Sequence, residues 1–173
     1  MNQKNLIHFI MTGGTIDSAW NGRQDAIVVS ENSCIPEFFQ KYNLIDDVMF
    51  TEVCMKDSRQ LTDEDRSNMV KAIQESPATK IVITHGTFTM PDTARFLKKH
   101  LKRADQTIIL TGSTTPLKSI ELSDGGLNLG FAISHTQTLS PNVYIAMKGK
   151  AFTIEEIEKN IEEGKFHEIF SMN

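Results

Sequence analysis

Short apolar runs alternate along the chain with stretches in which apolar residues recur every three or four positions. The runs predict buried strands at Leu6–Met11, Val48–Cys54, Lys80–Thr84, Thr107–Thr111 and Asn142–Met147. The helical spacing predicts helices at Ile35–Tyr42, after Thr62, at Pro91–Arg103, from Ser123 to about Thr136 and from Ile154 to about Glu163. Such alternation is typical of a parallel sheet covered on both faces, so we expect a three-layer α/β sandwich, mainly parallel and Rossmann-like or flavodoxin-like.

The ends of several elements carry their own signals. Acidic residues follow Thr62 in the first helical turn, where a helix dipole favours them, and Thr153 with Glu156 forms a capping box. The polar, glycine-containing stretch 16–30 predicts a mobile loop with room for a short hairpin.

Composition narrows the class of protein. The 173 residues, 39% of them hydrophobic and 23% charged, predict one folded domain over residues 1–173. A net charge of −4 without a strong Lys/Arg cluster argues against nucleic acid as a partner. Cys34 and Cys54 are too few for a disulfide framework and lack zinc-site spacing, so we expect reduced core thiols and no metal or other cofactor. The first apolar run is too short for a signal peptide or a membrane span, which predicts a cytoplasmic protein away from membranes.

Glycines and small hydroxyl residues follow the predicted strands at 12–15, 57–58, 85–87 and 111–114. Ligands of open parallel sheets bind at the carboxyl ends of the strands, and these residues suit a small anion or an oxyanion. Phosphate binding is the alternative, although the chain has neither a P-loop motif nor GxGxxG. Nucleophilic catalysis by a threonine is a further possibility. A serine nucleophile of the hydrolase type is not indicated, because the chain has no GxSxG elbow.

Two motifs carry a resemblance to a known family. Residues 10–16, Ile-Met-Thr-Gly-Gly-Thr-Ile, resemble the first signature of the bacterial-type L-asparaginases, the asparaginase/glutaminase family. Residues 84–90, Thr-His-Gly-Thr-Phe-Thr-Met, are similar to the second signature. Residues 57–58, 110–113 and 123–129 resemble further family segments in the same order.

The resemblance implies hydrolysis of the side-chain amide of L-asparagine to L-aspartate and ammonia through a threonyl ester. Thr15 would be the nucleophile, and Thr87 would activate Thr15 or the attacking water. Lys159 would be the lysine that the family bonds to its second threonine. The substrate-binding residues would be Asp57, Ser58, Gly14, Gly86 and Phe88, with backbone N–H groups near the two threonines as the oxyanion hole.

Several of these residues have a structural alternative. Thr12 is equally consistent with a site residue and with a hydroxyl that only hydrogen-bonds the backbone of the turn. His85 fits a structural role better than a catalytic one. Glu155 and Lys159 also form an i,i+4 pair of the kind common on helix surfaces. Trp20 stands in the loop where the family often has a tyrosine, and it fits a core, interface or lid residue.

Phe88 is the main departure from the family pattern, which has an acidic residue there to pair with the α-ammonium of the substrate. Either another carboxylate takes over that role, or the site accepts substrates that lack the ammonium. The candidate carboxylates are Asp57, Asp17, Asp92, Asp124 or one from another subunit.

Length is the other departure: family members carry a second, C-terminal domain, and from 173 residues we expect the first domain alone. We therefore expect a homodimer or larger assembly that completes the site. Two other functions stay open: a non-catalytic amino-acid sensor that keeps the pocket, and an amidase acting on glutaminyl-tRNA, which the acidic composition disfavours.

Overall fold

The computed structural model describes residues 5–43, 47–119 and 122–157. A central sheet has the strand order β4-β1-β5-β6-β7-β8, formed by Val48–Lys56, Ile7–Gly13, Lys80–Thr84, Thr107–Thr111, Asn142–Met147 and Lys150–Thr153. The first five strands in this order are parallel, and β8 runs antiparallel to β7. The mainly parallel α/β fold is therefore confirmed, with each of the five predicted strands present.

Within the described ranges, helices that cover the sheet are α1 at Ile35–Tyr42, α2 at Asp63–Glu75, α3 at Met90–His100 and α4 at Gly125–Thr138. Alternate strand residues serve opposite faces, which explains why the strands read as continuous apolar runs. On β5, Ile81 and Ile83 pack in the core cluster that contains α2 and α3 residues, whereas Val82 packs in the cluster that contains α1 and α4 residues. The two clusters make the chain a three-layer sandwich.

The structure also corrects and extends the predicted elements. Helix α3 ends at His100 rather than Arg103, and α4 begins at Gly125, with Asp124 instead of Ser123 at the N-cap position. Ser123 Oγ still accepts the N–H of Gly125 at 3.0 Å. The hairpin in the stretch 16–30 is formed by β2, Ser18–Asn21, and β3, Ala26–Val29.

Strand β8 was not predicted, because its four residues lack a continuous apolar run. Lys148 and Gly149 both adopt positive φ in the turn that joins β7 to β8, which suits a two-residue hairpin turn. Both predicted caps are confirmed: the capping box of Thr62 and Asp65 on α2, and the reciprocal bonds between Thr153 and Glu156. The predicted helix after Thr153 is described for residues 154–157, and its remainder lies outside the described residues.

Candidate active site

Three of the loops that leave the parallel strands meet through glycines at the carboxyl edge of the sheet. A Cβ atom on Gly14, after β1, would lie 2.4 Å from the backbone N of Gly86, after β5. A Cβ on Gly86 would lie 2.7 Å from Oγ of Ser58, after β4. Because these approaches leave no room for a side chain, the glycines allow the three loops to touch.

The backbone at Gly14 is held from several sides. Its φ of 78° and ψ of −173° lie in a region that is essentially restricted to glycine. Its N–H donates to the carbonyl of Lys56 at 2.9 Å, and its carbonyl accepts the hydroxyl of Ser18 at 3.0 Å. These bonds fix the start of the short 3₁₀ turn Thr15–Asp17 and therefore the position of Thr15.

A cleft of about 490 Å³ contains Thr15 and Asp57. Its lining comes from the hairpin, from the end of β4 and from the segment that follows: Thr15, Ser18, Ile27, Val28, Val29, Met55, Lys56, Asp57, Arg59 and Gln60. Another cleft, of about 400 Å³, lies beside α1 and contains none of the predicted site residues. Of the predicted site residues the structure describes, Thr15 and Asp57 line the cleft beside β4 and the hairpin, whereas Ser58, Gly14, Gly86, Thr87 and Phe88 are not part of its lining.

Thr15 and Thr87 follow the two touching glycines directly, so their backbones lie on adjoining loops. Both side chains are half-buried, and in the described part of the chain neither hydroxyl has a hydrogen-bond partner. The backbone N–H groups of Gly86 and Thr87 likewise meet no acceptor within the described ranges. The arrangement thus offers two hydroxyls and two backbone donors at one edge of the sheet.

His85 supports this loop from inside the protein. It is fully buried, and burial lowers its pKa to about 4, so the ring is neutral at pH 7. Nδ1 lies 2.6 Å from the carbonyl of Gly86, which can only accept, so Nδ1 carries the proton. Nε2 then accepts the hydroxyl of Thr93 at 2.9 Å. The geometry favours the structural alternative for His85, which holds Gly86 and the loop that leads to Thr87.

Asp57, Arg59 and Phe88 form a connected group, of which Asp57 and Arg59 line the cleft. Arg59 Nε and Nη2 donate to the two carboxylate oxygens of Asp57 at 2.9 and 2.7 Å. The Arg59 guanidinium also lies 4.8 Å from the centroid of the Phe88 ring, in cation–π geometry. Hydrogen bonding to Arg59, against a smaller effect of burial, lowers the pKa of Asp57. Arg59 was not among the predicted site residues.

Lys56 is the second cation of the cleft lining, and it is paired with Asp65. Its Nζ lies 2.8 Å from both carboxylate oxygens of Asp65. Asp65 also accepts the N–H and hydroxyl of Thr62. Burial would raise the pKa of Asp65, but these hydrogen bonds outweigh it and lower that pKa. One carboxylate therefore links the end of β4 to the start of α2.

The other candidate carboxylates are engaged elsewhere. Asp17 is buried, and its Oδ1 accepts Ser33 Oγ and the N–H of Cys34, both at 2.9 Å. Burial raises the pKa of Asp17. Asp124 accepts backbone N–H groups of residues 114 and 115, and Asp92 pairs with Arg95 at 2.6 Å. Asp57 is the one candidate that lines the cleft.

Thr12 and Trp20 are also placed by the structure. Thr12 is buried and donates its hydroxyl to the carbonyl of Thr84 at 2.7 Å, which fits the reading of a hydroxyl that satisfies turn backbone. Trp20 is 64% exposed on the hairpin, so it is not a core residue of the described chain.

The cysteines are free thiols, Cys34 buried and Cys54 half-buried. Burial and the charge of Asp17 raise the pKa of Cys34 to about 12, and burial and the charge of Asp65 raise that of Cys54 to about 11. Both are protonated at neutral pH, so neither is poised as a nucleophile.

Lys159 lies outside the described residues. Glu155, its i,i+4 neighbour in sequence, forms an ion pair with Lys98 on α3. Within the described ranges, no group of three or more His, Cys, Asp or Glu side chains could hold a metal ion. No described helix is long and apolar enough to span a bilayer.

Comparisons with known proteins agree with the fold and the motifs. Residues 6–165 match the model of the family described as asparaginase, N-terminal. The glutaminase-asparaginase of Acinetobacter glutaminasificans is 26% identical over 169 residues, which cover 91% of this chain and 50% of that protein. L-asparaginase 1 of Escherichia coli K12 is 33% identical over 134 residues, which cover 73% of this chain and 39% of that protein.

Solved structures show the same relation. A probable cytoplasmic L-asparaginase from Campylobacter jejuni superposes with a TM-score of 0.68 at 27% identity, over 88% of this chain and 47% of that one. The thermostable L-asparaginase from Thermococcus kodakarensis superposes with a TM-score of 0.70 at 24% identity, over 86% of this chain and 45% of that one. The chain spans about half or less of the length of these relatives. The chain therefore belongs to the asparaginase family, and its residues 6–165 correspond to that family's N-terminal domain.

Proposed function

We propose that this chain is an amidohydrolase that converts the side-chain amide of L-asparagine to L-aspartate and ammonia through a threonyl ester on Thr15. Membership of the asparaginase family supports amide hydrolysis as the reaction class. The observation that carries the proposal is the contact between Gly14 and Gly86, because it joins the loop of Thr15 to the loop of Thr87.

In the first step, Thr15 Oγ1 attacks the amide carbon and the Thr15 proton passes to the amide nitrogen. The C–N bond breaks, ammonia leaves, and the acyl group stays on Thr15 as an ester. Thr87 would relay the proton, together with Lys159 in the role that the resemblance to the family implies. The N–H groups of Gly86 and Thr87 are the donors available to the oxyanion, and one such donor is commonly worth about 3–4 kcal/mol.

In the second step, water attacks the ester carbon, its hydroxyl goes to the acyl group and its proton returns to Thr15. Thr87 would activate that water, because it directly follows Gly86, which touches the loop of Thr15. Ser58 is buried against Gly86, and we propose that it binds the substrate carboxylate, with Asp57 and Phe88 on the outer side of the substrate.

The decisive experiment measures ammonia release from L-asparagine, L-glutamine, D-asparagine and simple amides. We expect release from L-asparagine that vanishes in Thr15→Ala and falls by about 10²–10⁴-fold in Thr87→Ala. Thr138→Ala is the matched control, because Thr138 is an exposed threonine at the end of α4. Turnover in Thr15→Ala equal to that of the Thr138→Ala control would refute the nucleophile.

A non-catalytic amino-acid sensor is the second candidate function. It is favoured by Phe88, which is 68% exposed where the family pattern has an acid, and by the ion pair that occupies Asp57. Saturable binding of L-aspartate by calorimetry, without ammonia release from any amide, would favour the sensor over the enzyme.

We also propose that residues 1–173 act as a single asparaginase-type domain, in the cytoplasm, and that a second copy of the chain closes the cleft. The supporting observation is that the hairpin beside the cleft exposes Trp20 and Ile27, which face each other in register. Size-exclusion chromatography with light scattering at micromolar concentration should give at least twice the mass of one chain. The mass of a single chain would contradict the assembly.

A further inference from the structure

We propose that the cleft selects a carboxamide that carries a carboxylate and no free α-ammonium group, with Arg59 as the specificity-determining residue. Succinamate, which is L-asparagine without its ammonium, represents the class, as does N-acetyl-L-asparagine. The inference rests on the proposed amidohydrolase function and concerns which amide the same cleft prefers.

The charges of the cleft lining are the first reason. Among the described residues that line it, Lys56 and Arg59 are cationic and Asp57 is the one acidic side chain. Each cation is already paired with a carboxylate, Lys56 with Asp65 and Arg59 with Asp57, so the lining holds no unpaired carboxylate. A bound ammonium would therefore add a positive charge with no free counter-charge beside it.

The state of Asp57 is the second reason. Both of its oxygens already accept hydrogen bonds from the Arg59 side chain, and Oδ1 also accepts the Arg59 backbone N–H at 2.9 Å. An incoming ammonium would have to displace a bidentate guanidinium, which matches a carboxylate better than an ammonium does. Asp57 is thus closed to an α-ammonium while the Arg59 pair is intact.

The donors of Arg59 are the third reason. Nε and Nη2 are used by Asp57, whereas Nη1 meets no acceptor among the described residues. The ring of Phe88 lies 4.8 Å from the guanidinium and holds it from another side. Arg59, whose side chain is 64% exposed, therefore contacts two partners and still has a donor for a carboxylate of the substrate.

The test compares kcat/KM for succinamate with kcat/KM for L-asparagine, both measured as ammonia release. In each case the amide C–N bond breaks and water supplies the new hydroxyl, so the two reactions differ only in the ammonium. We expect a succinamate-to-asparagine ratio above one. A ratio below one would overturn the inference even though the amidohydrolase function stands.

Two variants reach the same result by different routes. Phe88→Asp introduces a carboxylate that either binds the ammonium itself or pairs with Arg59 and releases Asp57. Arg59→Met releases Asp57 directly. Each should shift the ratio toward L-asparagine by about tenfold or more, the size of one charge-assisted hydrogen bond. No shift in either variant would overturn the inference.

Matched controls separate charge from shape. Phe88→Leu removes the ring without adding a carboxylate, so it should not shift the ratio toward L-asparagine as Phe88→Asp does. Arg103 forms the same kind of bidentate pair with Asp105, at 3.0 and 2.8 Å, ahead of β6 at the opposite edge of the sheet. Arg103→Met should leave the ratio unchanged. A shift in Arg103→Met as large as in Arg59→Met would overturn the assignment to Arg59.

Product binding distinguishes a failed inference from a failed function. Calorimetry with succinate and with L-aspartate needs no turnover, so it reports on the cleft even if no amide releases ammonia. Tighter binding of succinate would support the inference in an inactive protein. Tighter binding of L-aspartate than of succinate by the unmodified chain would contradict the inference.

Discussion

Gly14→Ala is the substitution that tests most sharply how the candidate site is assembled. The φ of 78° and ψ of −173° at Gly14 cost a residue with a side chain about 1–3 kcal/mol. The new Cβ would also lie 2.4 Å from N and 2.6 Å from Cα of Gly86, which are backbone atoms that cannot rotate away. Overpacking of this kind adds about 1–3 kcal/mol, so we expect a total loss of about 2–6 kcal/mol.

Gly149→Ala is the matched control. Gly149 has a φ of 76°, but the nearest atoms to a Cβ there belong to the ring of Phe131, at 3.2 Å. A side chain can move by a few tenths of an ångström, so the cost should be the conformational one alone, about 1–2 kcal/mol. The difference between the two variants isolates the loop contact and the stricter backbone conformation of Gly14.

Urea denaturation followed by circular dichroism gives both free energies of unfolding by linear extrapolation. In a chain of this length, a loss of 1 kcal/mol lowers Tm by about 2–4 °C. Gly14→Ala should be less stable than Gly149→Ala by about 2 kcal/mol and should lose ammonia release in the fraction that remains folded. Equal stabilities within about 0.5 kcal/mol would refute the contact between the loops of Thr15 and Thr87.

Two further predictions concern stability. His8 and His85 are buried with pKa values lowered to about 4. Between pH 6.5 and 4 these histidines are protonated in the unfolded chain and stay neutral in the folded chain. The free energy of unfolding should therefore fall as the pH is lowered through this range, by up to roughly 3 kcal/mol per histidine. Denaturation curves that are unchanged across this range would contradict the buried neutral rings. Asp65→Asn should cost about 1–3 kcal/mol through the lost bonds to Lys56 and to the helix start, whereas Asp63→Asn, on the exposed side of the same helix, should cost under about 0.5 kcal/mol. Similar losses in both variants would argue against the link.

The sheet could be predicted from the chain because its strands are buried on both faces. Runs such as 81–83 are apolar without interruption, and the glycines and hydroxyl residues that end them mark the edge where a site forms. Strand β8 escaped prediction because it pairs antiparallel at the sheet margin, where only partial burial is needed. Its formation depends on the tight turn at Gly149 more than on its own residues.

The loops of Thr15 and Thr87 could be assigned to one edge from sequence, but the group around Arg59 could not. Arg59 and Phe88 are separated by 29 positions in the chain and follow strands β4 and β5, which are not neighbours, since β1 lies between them. Their contact depends on the packing of two loops rather than on any periodicity. For His85 the sequence favours the structural role, but its partners, the carbonyl of Gly86 and the hydroxyl of Thr93, likewise depend on packing.

The central claim is that Thr15 carries the acyl group during amide hydrolysis. Its most direct test is acid quenching of the protein during turnover of L-asparagine and of succinamate, followed by peptide mass spectrometry. We predict one acyl group, aspartyl or succinyl according to the substrate, on the peptide that contains Thr15, and none in Thr15→Ala. An acyl group on another residue, or ammonia release that persists in Thr15→Ala, would contradict the account.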